Sequence, residues 1–102
     1  MNALRQETTV SHDDLQDALS GVVRTCVNGT VRYQNQDGQY HRTNGPAVIW
    51  PDGLQAWYRN GLLHREDGPA LANVHGICYW YRDGQKVSEK EFYSLRAKQH
   101  ES

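Results

Sequence analysis

His41-Arg42-Thr43-Asn44-Gly45-Pro46-Ala47 returns 23 residues later as His64-Arg65-Glu66-Asp67-Gly68-Pro69-Ala70. The same displacement carries Trp57-Tyr58-Arg59-Asn60-Gly61 onto Trp80-Tyr81-Arg82-Asp83-Gly84. Self-similarity at a fixed period of this size marks a repeat architecture. All nine glycines keep the period: Gly21, Gly45 and Gly68 form one phase, Gly29, Gly53 and Gly76 a second, Gly38, Gly61 and Gly84 a third. The units run over 21–44, with one extra residue, then 45–67 and 68–88.

Seven of the nine glycines follow Asn or Asp (Asn28, Asp37, Asn44, Asp52, Asn60, Asp67, Asp83), the dipeptide required by tight turns with positive φ. Between them lie stretches rich in β-branched and aromatic residues: Val22–Val27, Thr30–Gln34, Ala47–Trp50, Leu54–Arg59, Ala70–Val74 and Ile77–Arg82. Each unit therefore reads as a β-hairpin with a connecting turn. The pattern predicts a mainly β fold, an antiparallel meander of about three repeated hairpins and six strands, in which no hairpin buries a face alone. The ends need caps. Ser11 with Asp13, Asp14, Leu15, Ala18 and Leu19 predicts a short N-terminal helix ending at Gly21. Ser88 with Glu91 three residues on is a capping box, opening a short C-terminal helix anchored by Phe92, Tyr93 and Leu95.

One hundred and two residues are one domain: a tail and helix over 1–20, the repeats over 21–88, and a helix and tail over 89–102. Only 37% of the residues are hydrophobic, and ten are aromatic, so the core is thin and built from large rings. Eleven bases against twelve acids give a net charge of -1, which advertises neither nucleic acid nor an acidic membrane surface. With no apolar leader and no long apolar run, the expected location is the cytoplasm. Cys26 and Cys78 form no disulfide framework or metal-ligand pair and are expected as reduced, partly buried thiols.

The unit Gly-x-x-His-Arg-x-Asp-Gly-Pro-Ala, with a glycine about eight residues on and Trp-Tyr four and five residues beyond that, resembles the divergent MORN-type repeat of small proteins from phages, prophages and large DNA viruses. The close Arg82-Asp83-Gly84-Gln85-Lys86-Val87-Ser88, running into a Glu/Lys helix with Phe92, is similar to the usual end of such arrays. The resemblance spans roughly residues 28–95. The first unit departs from it, with Ser20-Gly21-Val22 in place of Gly-Pro-Ala and no preceding His-Arg. The resemblance implies β-hairpin arrays that serve as scaffolds or contact surfaces, and a phage origin.

His41-Arg42 and His64-Arg65 are the residues that invite a catalytic reading, since a His beside an Arg and an acid can do acid–base work. Their identical phase favours a structural one: His41, Arg42, His64, Arg65 and Asp67 are expected to brace turns. No third ligand accompanies the two histidines, His75 excepted, so no metal is expected; neither a nucleophile motif nor a phosphate loop is present. No cofactor and no enzymatic activity are expected.

Strand alternation places Tyr33, Trp57 and Trp80 on one face and Tyr58, Tyr79 and Tyr81, with Leu54, Ala56 and Ile77, on the other. Two short helices cannot cover both, which leaves an aromatic patch rimmed by arginine: Trp57, Tyr58, Arg59, Tyr79, Trp80, Tyr81 and Arg82. Tyr, Trp and Arg are the residues that anchor interfaces. The expected function is a non-enzymatic interaction module, phage- or mobile-element-encoded, that docks on a host protein and blocks it sterically, a bacterial defence complex of the CRISPR type being the concrete case. The alternative is a nucleic-acid or nucleotide-binding module using the same Tyr/Trp/Arg surface, disfavoured by an excess of only two bases over residues 22–87. Unpaired outer strands, or the aromatic face, also offer a route to a homodimer.

Overall fold

A computed structural model describes Asp17 and residues 19–101, with backbone alone for 98–101. The expected N-terminal helix falls largely outside these residues. The chain is mainly β, with antiparallel strands in a sheet and one C-terminal helix. Among the described residues nine short strands follow in order: β1 Val23–Val27, β2 Thr30–Gln34, β3 Val48–Ile49, β4 Gln55–Ala56, β5 Tyr58–Arg59, β6 Leu62–Leu63, β7 Leu71–Ala72, β8 Cys78–Arg82 and β9 Gln85–Val87. Seven of them form one sheet in the order β1-β2-β3-β4-β7-β8-β9, and β5 pairs with β6 separately.

Each of the six stretches expected to be extended carries a strand, but Leu54–Arg59 is broken in two at Trp57. There the Trp57 N–H turns to Ala70 O (2.6 Å) and the Trp57 carbonyl accepts from His64 N (2.9 Å). β4 therefore stays in the large sheet, while β5 peels away to pair with β6. β8 divides its loyalty similarly without breaking: Cys78 and Tyr79 face β7, Trp80 to Arg82 face β9.

Turn chemistry explains the joins. Asn28-Gly29, Asn60-Gly61 and Asp83-Gly84 hold both residues at positive φ (53 and 82, 50 and 86, 50 and 84°), the type I′ geometry whose twist matches flanking antiparallel strands. They close β1-β2, β5-β6 and β8-β9. β3-β4 and β7-β8 are joined through loops in which Gly53 and Gly76 alone take positive φ, and a side chain organises each loop. Asp52 Oδ1 accepts the Leu54 N–H (3.1 Å), and Asn73 Oδ1 accepts from His75 and Ile77 (2.9 and 3.0 Å).

The core is thin. Val22, Tyr33 and Ala47 are buried together, with Val31, Tyr40 and Tyr58 packed against them. Tyr33 and Tyr58, expected on opposite faces, thus share one cluster, and the bend at Trp57 is the reason. Ala56 is fully buried whereas Ile77 and Tyr79, its expected companions, are exposed. Ser88 Oγ caps the C-terminal helix, α1 (Glu89–Glu101), by accepting the Glu91 N–H (3.0 Å). Of its three expected anchors only Phe92 is buried, completely; Tyr93 and Leu95 remain exposed, Tyr93 lying edge-on to Phe92 at 5.1 Å. Cys26, expected to be partly buried, is exposed because β1 is an outer strand, and Cys78 is half-buried. Among the described residues no helix is long and apolar enough to cross a membrane.

Candidate functional site

The two His-Arg-x-x-Gly-Pro-Ala stretches build a surface of stacked and hydrogen-bonded side chains. Arg42 lays its guanidinium 3.8 Å from the centre of the Tyr33 ring, and Arg65 lies 3.7 Å from that of Trp57. On the opposite side of each guanidinium lies a glycine. A Cβ on Gly45 would come within 2.8 Å of Arg42 Nη1, and one on Gly68 within 3.0 Å of Arg65 Cζ. Neither glycine has a positive φ. The reading of Asn44-Gly45 and Asp67-Gly68 as positive-φ turns is therefore corrected: glycine stands there because the arginine is clamped between an aromatic ring and bare backbone.

Hydrogen bonds fix the clamp. Arg65 donates from Nη1 to Pro69 O (3.2 Å) and from Nε to Asp67 Oδ1 (2.8 Å). Arg42 likewise reaches Pro46 O (3.5 Å), but position 44 is Asn, and its Nε pairs instead with Asp17 Oδ2 at 2.9 Å, both side chains being nine-tenths buried. The alanines that follow, Ala47 and Ala70, are fully buried, so a larger side chain there would overpack the site at a cost of about 1–3 kcal/mol.

Both histidines reach forward to the next turn. Asn60 N donates to His41 Nδ1 (3.0 Å) and Asp83 N to His64 Nδ1 (2.9 Å). With Nδ1 of His64 accepting, its proton sits on Nε2 and is donated to Glu66 Oε2 at 2.6 Å. Arg59 Nη2 donates to the same oxygen at 3.1 Å. Its 2.8 Å approach to His64 Nε2 sets donor beside donor, and the shared carboxylate makes that tolerable. The hydrogen bond from His64 is the largest influence holding the Glu66 carboxyl below its ordinary range; electrostatic attraction towards His64, Arg82 and Arg59 adds to it, and partial burial opposes them. Burial, with Tyr40 and Tyr81 nearby, pushes the Tyr58 hydroxyl up.

These side chains frame a cleft of about 340 Å³ lined by Arg42, Thr43, Asn44, Trp57, Arg59, His64, Arg65, Glu66 and Asp67. Two of the seven expected contact residues, Trp57 and Arg59, stand in it beside four of the five expected braces. The other five lie elsewhere. Tyr58 packs on the core and meets Tyr40 edge-on at 5.3 Å. Tyr79 is exposed under Lys86 Nζ, 4.2 Å from its ring centre. Trp80, Tyr81 and Arg82 are half-buried on β8, the strand against which α1 packs, and Arg82 sits 5.7 Å from the Phe92 ring centre. Trp80 Nε1 and Arg82 Nη1 are buried without a hydrogen-bond partner.

Glu66 was not singled out by its sequence position. The available signal was an acid two residues after His64 where the other copy has Thr43. Both nitrogens of the His64 imidazole are engaged, Nδ1 by the Asp83 N–H and Nε2 by Glu66, so this ring directs no free lone pair into the cleft. Among the described residues no group of three His, Cys, Asp or Glu is gathered as a metal site would require. No family model, no curated protein and no solved structure matches this chain.

Proposed function

We propose that the chain is a non-enzymatic protein-interaction module built as a divergent MORN-type array of hairpin units, and that it binds its partner through the cleft around Trp57. The repeat reading is supported by contacts that recur at the sequence period. His41 and His64 each accept a turn N–H, and Arg42 and Arg65 each lie between a ring and a glycine. The interaction reading is carried by one observation: Trp57 and Arg59 stand with Arg65 in a half-open cleft whose only imidazole is fully engaged. A large ring beside partly exposed guanidinium groups is the composition of an interface anchor. Arg42, Arg59 and Arg65 are each bonded to a carboxylate, which disfavours the nucleic-acid alternative at this cleft because its guanidinium groups are already neutralised.

The concrete form of the proposal is a phage- or mobile-element-encoded protein that occludes a host protein in the cytoplasm, a CRISPR-type interference complex being the first candidate. It is tested by capture from bacterial lysate, and by an interference assay, with the native chain and Arg59→Ala side by side. The Arg59 side chain is half-exposed and its ion pair with Glu66 lies at the surface, so its removal is expected to cost at most about 1 kcal/mol, and thermal melts check that the variant is folded. A stoichiometric protein partner held by the native chain and lost by the variant supports the reading. No partner, or equal capture by both, overturns it.

A further inference from the structure

β1 is one of the two outer strands of the seven-stranded sheet, bonded on one side only, to β2. All five of its residues are exposed, Val23 at 59% and Val27 at 52%. Of the devices that usually blunt such an edge β1 carries a single charge, Arg24; it contains no Pro, and its five-pair ladder with β2 runs without a bulge. Among the described residues no hydrogen bond reaches its outer side.

We propose that this edge pairs with the same edge of a second copy, antiparallel about a two-fold axis through Thr25. The register follows from the hairpin. Val27 and Thr30 flank the two-residue turn Asn28-Gly29 and form a hydrogen-bonded pair, so Thr25 and Val23 also bond inward to β2. Arg24 and Cys26 therefore direct their backbone N–H and C=O groups outward. A symmetric pairing must set outward groups opposite outward groups, which leaves three registers, centred on residue 24, 25 or 26. Centring on Arg24 places two like charges directly opposite each other, which is destabilising. Centring on Cys26 pushes Arg24 against the turn residue Asn28 of the other copy. Centring on Thr25 uses the whole strand. Arg24 and Cys26 then exchange four backbone bonds with Cys26 and Arg24 of the second copy. Val23 meets Val27, and Thr25 meets Thr25, in a non-hydrogen-bonded pair about 4.5 Å apart at Cα.

That spacing is within disulfide reach, so the register is readable by cross-linking. In the full chain with Cys26→Ser and Cys78→Ser, Thr25→Cys is expected to give a disulfide-linked dimer on mild oxidation, and Arg24→Cys in the same background is not. With Cys78→Ser alone, Cys26 is expected to stay uncrosslinked. Light scattering after size exclusion should give twice the chain mass for the native protein. Arg24→Pro, which removes an outward N–H and leaves the bonds to β2 intact, should return the mass to one chain with the circular dichroism spectrum unchanged. A native chain that stays monomeric at every concentration overturns the proposal. So does cross-linking strongest at position 24 or 26, or an Arg24→Pro dimer as stable as the native one. Protection of β1 by residues 1–16, or by a heterologous strand in place of a second copy, would appear as the monomeric outcome.

Discussion

Gly68→Ala separates two reasons for a glycine. If Gly68 stood there to reach positive φ, alanine would cost about 1–2 kcal/mol of backbone strain in any context. Its φ is not positive, and the obstacle is the Arg65 guanidinium, whose Cζ, Nη1 and Nε lie 3.0, 3.1 and 3.2 Å from the position a Cβ would take. The group cannot retreat along its normal, because the Trp57 ring centre is 3.7 Å away on its other side. It must slide out. A cation over tryptophan contributes about 0.5–1 kcal/mol when exposed and about 2 when desolvated; the Arg65 side chain is 25% exposed, which puts the loss at about 1–2 kcal/mol. Alanine in a compatible conformation gains back about 0.4–1 kcal/mol by restricting the unfolded chain. The expected result is a destabilisation of about 1 kcal/mol in the native background, and a stabilisation of about 0.4–1 kcal/mol once Arg65→Ala has emptied the clamp. Urea denaturation of the four corners of this cycle, with thermal melts in which 1 kcal/mol moves Tm by about 4–8 °C, measures both. Gly84→Ala, at a φ of 84°, is the control and should cost about 1–2 kcal/mol in either background. Equal effects of Gly68→Ala with and without Arg65 would refute the clamp.

The two histidines should differ despite their common phase. His64 is 5% exposed, so His64→Ala strands the Asp83 N–H and should cost about 1–3 kcal/mol; His41 serves an exposed N–H that water can satisfy, and His41→Ala should cost less than about 1 kcal/mol, both read by denaturant titration. Glu66 supplies a pH dependence: its folded carboxyl binds a proton less readily than the unfolded one, so its contribution is present above the unfolded value of about 4.3 and is lost as pH falls through the lower folded value. Glu66→Gln should therefore narrow the stability gap to the native chain as pH drops below about 4.3, and a gap independent of pH would count against the His64–Glu66 bond.

Much of the fold was legible because its determinants are local. Asn28-Gly29, Asn60-Gly61 and Asp83-Gly84 announce their turns by dipeptide, and those turns hold the dihedrals the dipeptides demand. Ser88 and Glu91 likewise mark where α1 begins. The break at Trp57 was not legible, since the residues from Leu54 to Arg59 read as one unbroken strand; the pull on Trp57 comes from Ala70 and His64. Nor was the cleft. Trp57 and Arg59 belong to it, but Tyr58 between them points to the core, and Glu66 enters only through its bonds to His64 and Arg59.

Adjacent residues alone set the 23-residue period, the turns at Asn28-Gly29, Asn60-Gly61 and Asp83-Gly84 and the starting point of the helix, because each depends on the conformational limits of a few neighbouring residues. Tertiary structure alone decided why Gly45 and Gly68 must be glycine, which acids neutralise Arg42, Arg59 and Arg65, which aromatics stay in solvent and that β1 is left at the margin of the sheet. Those outcomes rest on contacts such as His64 to Asp83 and Arg42 to Asp17, made across 19 and 25 residues of chain. Such contacts exist only once the folded chain has brought its turns against one another.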